Sequence, residues 1–441
     1  EKDSTYSDRR KLFIVLIVSI ASFISPLAIN IYIPTLRQIE VVTAANTTVA
    51  VYMISQGLSP LLWAPLSDTL GRRPVYLATF LVTLAANIGL SVAKTYWLLV
   101  LLRFVQAFGA ASAIAVGAGT IADITQRSER GSYMGYYSFA QYFGPTLGPV
   151  AGAALAQRWD YRAIFVLLLI LTALVLAVLA LFLNETKRSL VCDGSAAPAG
   201  IYRCFFPPKT ARPSRDMLGF ATLGLHRPLR LFVQVRTCAV IIAYALVYAT
   251  FYLQASALPT LLDTTYHLKL LLIGVCFLPS GIGSAVGTIV GGKILDWTYR
   301  RAPEAAQNRL GADATRIAAV RLRPAWIYLP AYCASLSASG WCIQAHAPLA
   351  VFLLFQFFIG MFSTMYFINI NTLLVDLYPD SAASATAAVN VGRCLLGAVA
   401  VCVAQTMIQE LGAGWTMTVA MLINLVGSTL CQVLVLYRRS V

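Results

Sequence analysis

Two arginines stand where a guanidinium is costly. Arg103 and Arg393 each fall within a long apolar run. An Arg at the centre of a bilayer costs about 2.5–3.5 kcal/mol on insertion scales, so each must face a cavity or a partner. Arg103 has Gln106 one turn on, so a structural hydrogen-bond hub is its alternative reading, and for Arg393 the alternative is a helix-packing anchor. The acids are placed differently. None of the 18 Asp and Glu falls in the central third of an apolar run. A pocket shared by the two arginines is therefore electropositive, which favours anionic or neutral cargo over cations.

Two short charged turns share one pattern. Asp68, Arg72 and Arg73 follow one apolar run, and Asp296, Arg300 and Arg301 follow another at the same spacing. A carboxylate with two guanidiniums at helix ends can pair with itself, with helix termini or with neighbouring charged turns. If such pairs form on one side and break on the other, they make a two-state latch. Asp123, close in sequence to Arg127, Glu129 and Arg130, is the best candidate for a titrating group coupled to that latch. The alternative is a static charge network.

Polar and aromatic stripes outline where a cavity would lie. Tyr133, Tyr137 and Gln141 recur every four residues, as do Tyr244, Tyr248 and Tyr252. That spacing puts each trio on one face of a helix. Asn30, Tyr52, Gln56, Gln356, Tyr366, Asn369, Asn371 and Asn390 add amides and phenols at comparable depths. Helix-helix packing is the competing reading for each stripe. Gly144-Pro145 and Gly148-Pro149 are a doubled pair in one run: Pro removes a helix hydrogen bond and Gly lets a neighbouring backbone approach. A kinked, closely packed helix follows, as a hinge, a seal or a plain packing kink.

These residues need elements to hold them. Of 441 residues, 59% are hydrophobic and 12% charged, too little polar surface to cover a soluble chain. About twelve apolar stretches of roughly 20 residues are visible, each long enough to cross about 30 Å of hydrocarbon as a helix. The fold class is thus all-α and integral to a membrane, in two six-helix halves: residues 1–183, a basic linker at 184–230 with a short amphipathic helix at 214–226, and residues 231–441. The net charge of +15 invites a nucleic-acid reading. However, Lys and Arg concentrate at the termini and in loops on one side, while the other side holds only Arg37, Lys94, Arg158, Arg162 and Lys269. By the positive-inside rule both termini face the cytosol and the basic loops face anionic lipid, not a polynucleotide. The nine Cys lack Cys-x-x-Cys spacing and read as buried thiols, with no metal site. The sequon at Asn46 hugs a helix start. Gly-x-Ser-x-Gly, His-rich metal spacing and a phosphate loop are all missing, so no enzyme and no cofactor is expected.

Several of these runs together resemble a known family. Pro65-Leu66-Ser67-Asp68-Thr69-Leu70-Gly71-Arg72-Arg73-Pro74 is similar to the loop signature of the major facilitator superfamily, with Ala64 where Gly is usual. Arg103-Phe104-Val105-Gln106-Ala107-Phe108-Gly109 resembles its fourth-helix signature, and the Gly144 to Gly152 run its fifth-helix antiporter signature. Asn184-Glu185-Thr186-Lys187-Arg188, Leu373 to Pro379 and Asn390 to Ala398 resemble fungal twelve-span drug:proton antiporters, closest to the quinidine-resistance-type branch. That branch includes organic-acid exporters. The resemblance implies the major facilitator fold and a secondary transporter that exports small organic compounds, drugs or weak acids, by alternating access on a proton gradient. It also assigns Arg103 to coupling or substrate handling. A dedicated exporter of di- or tricarboxylates such as citrate or itaconate is the alternative. A transporter-like nutrient sensor is more remote, since no large cytosolic extension is seen. The expected partners are a small-molecule substrate and the bilayer, the expected state a monomer, and the expected site the plasma membrane, with the vacuole as the alternative.

Overall fold

Leu, Ile, Val, Phe and Ala fill runs of this chain with few charges between them, and in hydrocarbon such runs satisfy their backbone only by coiling into helices. The computed structural model describes residues 7–38, 42–125, 130–187, 234–301, 318–319, 321–377 and 382–437, and among these every regular element is a helix or a short 3-10 turn. In chain order they are α1 (Asp8–Asn30), a 3-10 turn (Ile33–Gln38), α2 (Val42–Leu70), α3 (Arg72–Val92), α4 (Tyr96–Ala110), α5 (Ser112–Ile124), α6 (Arg130–Arg158) and α7 (Arg162–Phe182). After the linker come α8 (Val235–Tyr266), α9 (Leu270–Val275), α10 (Leu278–Arg300), α11 (Ala325–Gln344), α12 (Leu349–Leu377) and α13 (Ala382–Tyr437). The 214–226 helix and all of the linker beyond Lys187 lie outside the described residues.

Among the described residues, nine helical stretches are long and apolar enough to cross a membrane. One of these, Ala385–Leu436, is two spans: Gly412 takes φ +79° and folds α13 back on itself, a backbone that residues with a Cβ rarely adopt. Gln344 secures the fold, its Oε1 accepting the Gly414 N–H at 2.8 Å. Both α6 and α11 are also long, but their Tyr, Ser, Gly and Gln residues make them less apolar. Counted this way, the described residues form twelve helical passes. Each of α4/α5 and α9/α10 forms one pass with a short break.

The outside of the bundle is apolar and the inside is partly polar. Leu12, Leu16 and Ile20 are exposed at four-residue spacing, and so are Leu422, Val426, Leu430 and Leu434. Arg103, Gln106, Asn87, Thr172, Asn369 and Asn424 have no exposure at all. Apolar faces on this scale are stable only against lipid. Among the helices, α1–α7 pack chiefly on one another, as do α8–α13, and two seams join the groups: α13 on α2, and α9 and α10 on α6. The candidate site lies along these seams.

Candidate functional site

Arg393 sits on α13 at the seam with α2. Its Nε and Nη2 both donate to Asn390 Oδ1, at 2.9 and 2.6 Å. The Asn390 Nδ2 in turn donates to the Gln56 carbonyl of α2 at 2.9 Å. One amide thus orients the guanidinium and ties α13 to α2. The Tyr248 ring lies under the charge, 4.8 Å from Cζ to centroid. Tyr248 packs against Tyr252 with centroids 4.7 Å apart and planes tilted by 39°, and Asn30 Nδ2 of α1 donates to the Tyr252 hydroxyl at 3.4 Å. Phe367 closes the far side against Tyr244 at 4.7 Å. Arg393 itself is only half-buried. The α8 tyrosine stripe, Arg393, Asn390 and Asn30 are therefore one constellation at the seam.

The walls of this seam approach closely. A Cβ on Gly57 of α2 would lie 3.0 Å from the Cys394 Cβ of α13. On the other seam, a Cβ on Gly274 would lie 2.7 Å from the Pro149 carbonyl. Gly144, Gly148 and Gly152 form a stripe on α6 against α1: an added Cβ at Gly144 would lie 2.9 Å from Leu27 N and at Gly148 2.8 Å from Ile31 N, and at Gly152 it would strike the Ile31 carbonyl. The doubled Gly-Pro thus produces close backbone packing of α6 on α1, with Pro145 and Pro149 carried inside the helix.

Arg103 lies deeper, within α1–α7. Its Nη1 donates to the Ala28 carbonyl at 3.1 Å and to Gln106 Oε1 at 2.8 Å. Gln106 Nε2 donates to Asn87 Oδ1 at 2.5 Å, and Asn87 Nδ2 to Thr172 Oγ1 at 3.1 Å. The rings of Tyr32 and Tyr52 flank the guanidinium at 4.6 and 4.7 Å, and Phe165 stands at 5.8 Å. Among the described residues no carboxylate pairs with Arg103 or Arg393; ion pairs there include Lys11 with Asp8, Arg72 with Asp68 and Asp123, and Arg162 with Asp160. Sequence reasoning missed Asn87 and Tyr32; an amide in mid-run at Asn87 was the available signal.

The charged turn after α2 is built as a knot. Arg72 reaches Asp68 at 2.7 Å and Asp123 at 2.9 Å, and donates to Ser67 Oγ at 2.6 Å. Its guanidinium packs over Gly119, where a Cβ would stand 2.8 Å from Cζ. Arg73 donates to the carbonyls of Leu183 and Ala180. Glu185, in sequence only one residue of a motif, is central to the knot. Buried to 1% exposure, its carboxylate accepts the backbone N–H groups of Arg72 (2.8 Å), Arg73 (3.1 Å), Thr186 and Lys187 (both 3.0 Å). It therefore caps the positive end of α3 and pins the start of the linker to it. Lys187 Nζ donates to the Thr69 carbonyl at 3.0 Å. Burial, and then the Arg72 charge, hold that ammonium below its ordinary range. Every described partner in this knot belongs to residues 67–187.

The remaining predicted residues scatter. Tyr137 turns away from the seam, its hydroxyl donating to the Ala113 and Ile114 carbonyls at 3.1 and 2.8 Å, with Gln141 beside it. Asn369 donates to the Arg321 carbonyl at 2.8 Å, away from Arg393. Arg301 stacks on Trp297 at 4.3 Å. The side chains of Arg130, Asp296 and Arg300 lie outside the described residues.

The Major Facilitator Superfamily model matches residues 15–401. The chain belongs to that superfamily. Among relatives of this major facilitator protein, the multidrug transporter QDR2 of Candida glabrata is 34% identical over 435 residues, covering 90% of this chain and 75% of that protein. Citrate exporter 1 of Aspergillus niger is 34% identical over 452 residues, covering 97% and 86%. Both lie in the fungal branch that the late motifs resemble. A solved bacterial homologue of the human lysosomal transporter Spinster, in an inward-facing and unoccupied conformation, shares the fold at TM-score 0.68 and 15% identity, covering 99% of this chain and all of that one. This major facilitator chain is thus a multi-pass membrane transporter of small molecules, not an enzyme.

Proposed function

We propose that the protein exports small organic anions, weak acids and di- or tricarboxylates among them, by alternating access at the seam between residues 1–183 and 231–441. The single observation that carries this is Arg393: a half-buried guanidinium at the seam, oriented by Asn390, with no carboxylate partner among the described residues. A cation held between two halves without a counter-ion recruits one from the cargo. Asn30, Tyr248 and Tyr252 supply polar and apolar surface beside it.

The relative named as a citrate exporter supports a dedicated carboxylate exporter. A second reading, efflux of lipophilic drugs, draws on the Tyr248–Tyr252–Phe367 aromatic wall and on the relative named as a multidrug transporter. In either case the proton gradient drives export, with Asp123 on Arg72 as the titrating pair near the turn and no cofactor needed. The halves move about the glycine-lined seams, with 184–230 as the cytosolic connection. Both termini are cytosolic, the protein works as a monomer in the plasma membrane, and no nucleic acid is involved.

Reconstitution decides between the readings. Proteoliposomes are loaded with labelled citrate or with tetraphenylphosphonium, with and without an imposed pH gradient. Citrate flux above protein-free vesicles, accelerated by the gradient, supports anion export. Gradient-driven flux of the cation alone overturns it in favour of drug efflux.

A further inference from the structure

We infer that Gln56 is a specificity residue of the seam, and that its buried amide oxygen selects cargo with a hydroxyl close to the carboxylate held by Arg393, a hydroxy acid. This rests on the anion-export reading and names the substrate class within it.

The direction of Gln56 follows from its neighbours on α2. Ser55 and Ser59 donate to the Phe104 and Phe108 carbonyls of α4 at 2.6 and 2.7 Å. Met53 and Gly57 face α13: a Cβ on Gly397 would strike Met53 Cε, and one on Gly57 would lie 3.0 Å from the Cys394 Cβ. Leu58 and Leu62 are exposed on the lipid side. At about 100° per residue, Gln56 falls between the α4 face and the α13 face, turned away from the lipid-facing pair. It is 3% exposed.

The same turn of α2 is tied to Arg393. Asn390 Nδ2 donates to the Gln56 carbonyl at 2.9 Å, and Asn390 Oδ1 accepts from Nε and Nη2 of Arg393. A single amide thus bridges the Gln56 backbone and the guanidinium. The Gln56 Oε1, by contrast, is buried and has no hydrogen-bond partner among the described residues.

A buried acceptor without a donor is costly, so this one calls for a ligand that supplies a donor. Chemistry narrows what the donor is. A carboxylate only accepts. An ammonium is repelled by the guanidinium nearby. A hydroxyl is neutral and donates, and it leaves the carboxylate of the same molecule free for Arg393. A site that bonds a cargo hydroxyl rejects the analogue lacking it far more sharply than an apolar pocket does. Arg393 therefore reads the charge and Gln56 the hydroxyl, and a cargo held by both joins α2 of one half to α13 of the other.

The test sets citrate against tricarballylate and malate against succinate, in proteoliposomes of the full chain. Each pair differs by one hydroxyl. In wild type the hydroxylated acid of each pair has a KM at least fivefold below that of its partner. Gln56→Leu raises the KM of citrate and malate at least fivefold and leaves tricarballylate and succinate within twofold, while Arg393→Gln impairs all four. Equal KM values within the wild-type pairs, or a Gln56→Leu protein that affects both members equally or neither, overturn the inference and leave anion export standing. A wild-type protein that moves none of the four overturns both. If Gln56→Leu fails to fold, competition in wild type decides: malate inhibits citrate transport at least fivefold more strongly than succinate does, and equal inhibition overturns the inference.

Discussion

Arg72 holds two carboxylates, and the structure ranks them against their distances. The contact to Asp68 is shorter, 2.7 Å against 2.9 Å for Asp123. Distance alone would make Asp68 the stronger partner. Exposure reverses the order: the Asp68 side chain is 63% exposed and Asp123 17%. A water-exposed pair contributes about 0.2–1 kcal/mol because solvent screens it. Hydrogen bonds to charged groups away from water are worth about 1.5–3 kcal/mol, and Arg72 has a side chain only 10% exposed. Asp123→Asn should therefore cost about 2 kcal/mol, with Asp68 and Ser67 retaining part of the guanidinium's partners, against about 0.5 kcal/mol for Asp68→Asn. The assay is the apparent midpoint of thermal unfolding of each purified variant in detergent, paired with transport rate. Asp123→Asn lowers the midpoint severalfold more than Asp68→Asn and weakens the dependence on a pH gradient. Asp68→Asn slows turnover and leaves the order of preferred compounds unchanged. A larger midpoint loss for Asp68→Asn would refute the burial argument, and an altered compound profile would refute its role as a latch.

Two other outcomes follow from the packing. Glu185→Ala leaves four backbone N–H groups without their acceptor and lowers stability by about 2–3 kcal/mol; Glu185→Gln recovers part of that, read by the same unfolding midpoint. Gly148→Ala places a methyl 2.8 Å from the Ile31 nitrogen, costing about 1–3 kcal/mol of overpacking and slowing transport, whereas the same change at Gly135, where an added Cβ meets nothing, leaves both within error.

Particular residues show what could be read from sequence alone. Helical passes were legible because hydrocarbon admits one solution for a long apolar run, and the close packing at the doubled Gly-Pro because a residue without a side chain lets a neighbouring backbone approach. The link from Asp123 to the Asp68 turn was also legible: both were assigned to the same charged end, and Arg72 joins them. Other features depend on rotation about a helix axis, which composition does not specify. Tyr137 and Tyr248 belong to stripes with the same spacing, yet one hydroxyl turns inward to α5 carbonyls and the other ring lies under Arg393. Glu185 looked like a linker acid because its partners are backbone groups brought near by folding, 112 to 113 positions away. Tyr32 and Tyr52 gave no sign of enclosing Arg103, since cation–π pairs between helices leave no local pattern.

The central claim is that Arg393 receives an anion at the seam. Its most direct test is labelled citrate transport by wild type, Arg393→Lys and Arg393→Gln, reconstituted at equal amounts and with unfolding midpoints matched. Arg393→Gln loses at least tenfold in rate, and Arg393→Lys, which keeps the charge and loses the fork, retains part of it. Wild-type rates in Arg393→Gln would contradict that claim.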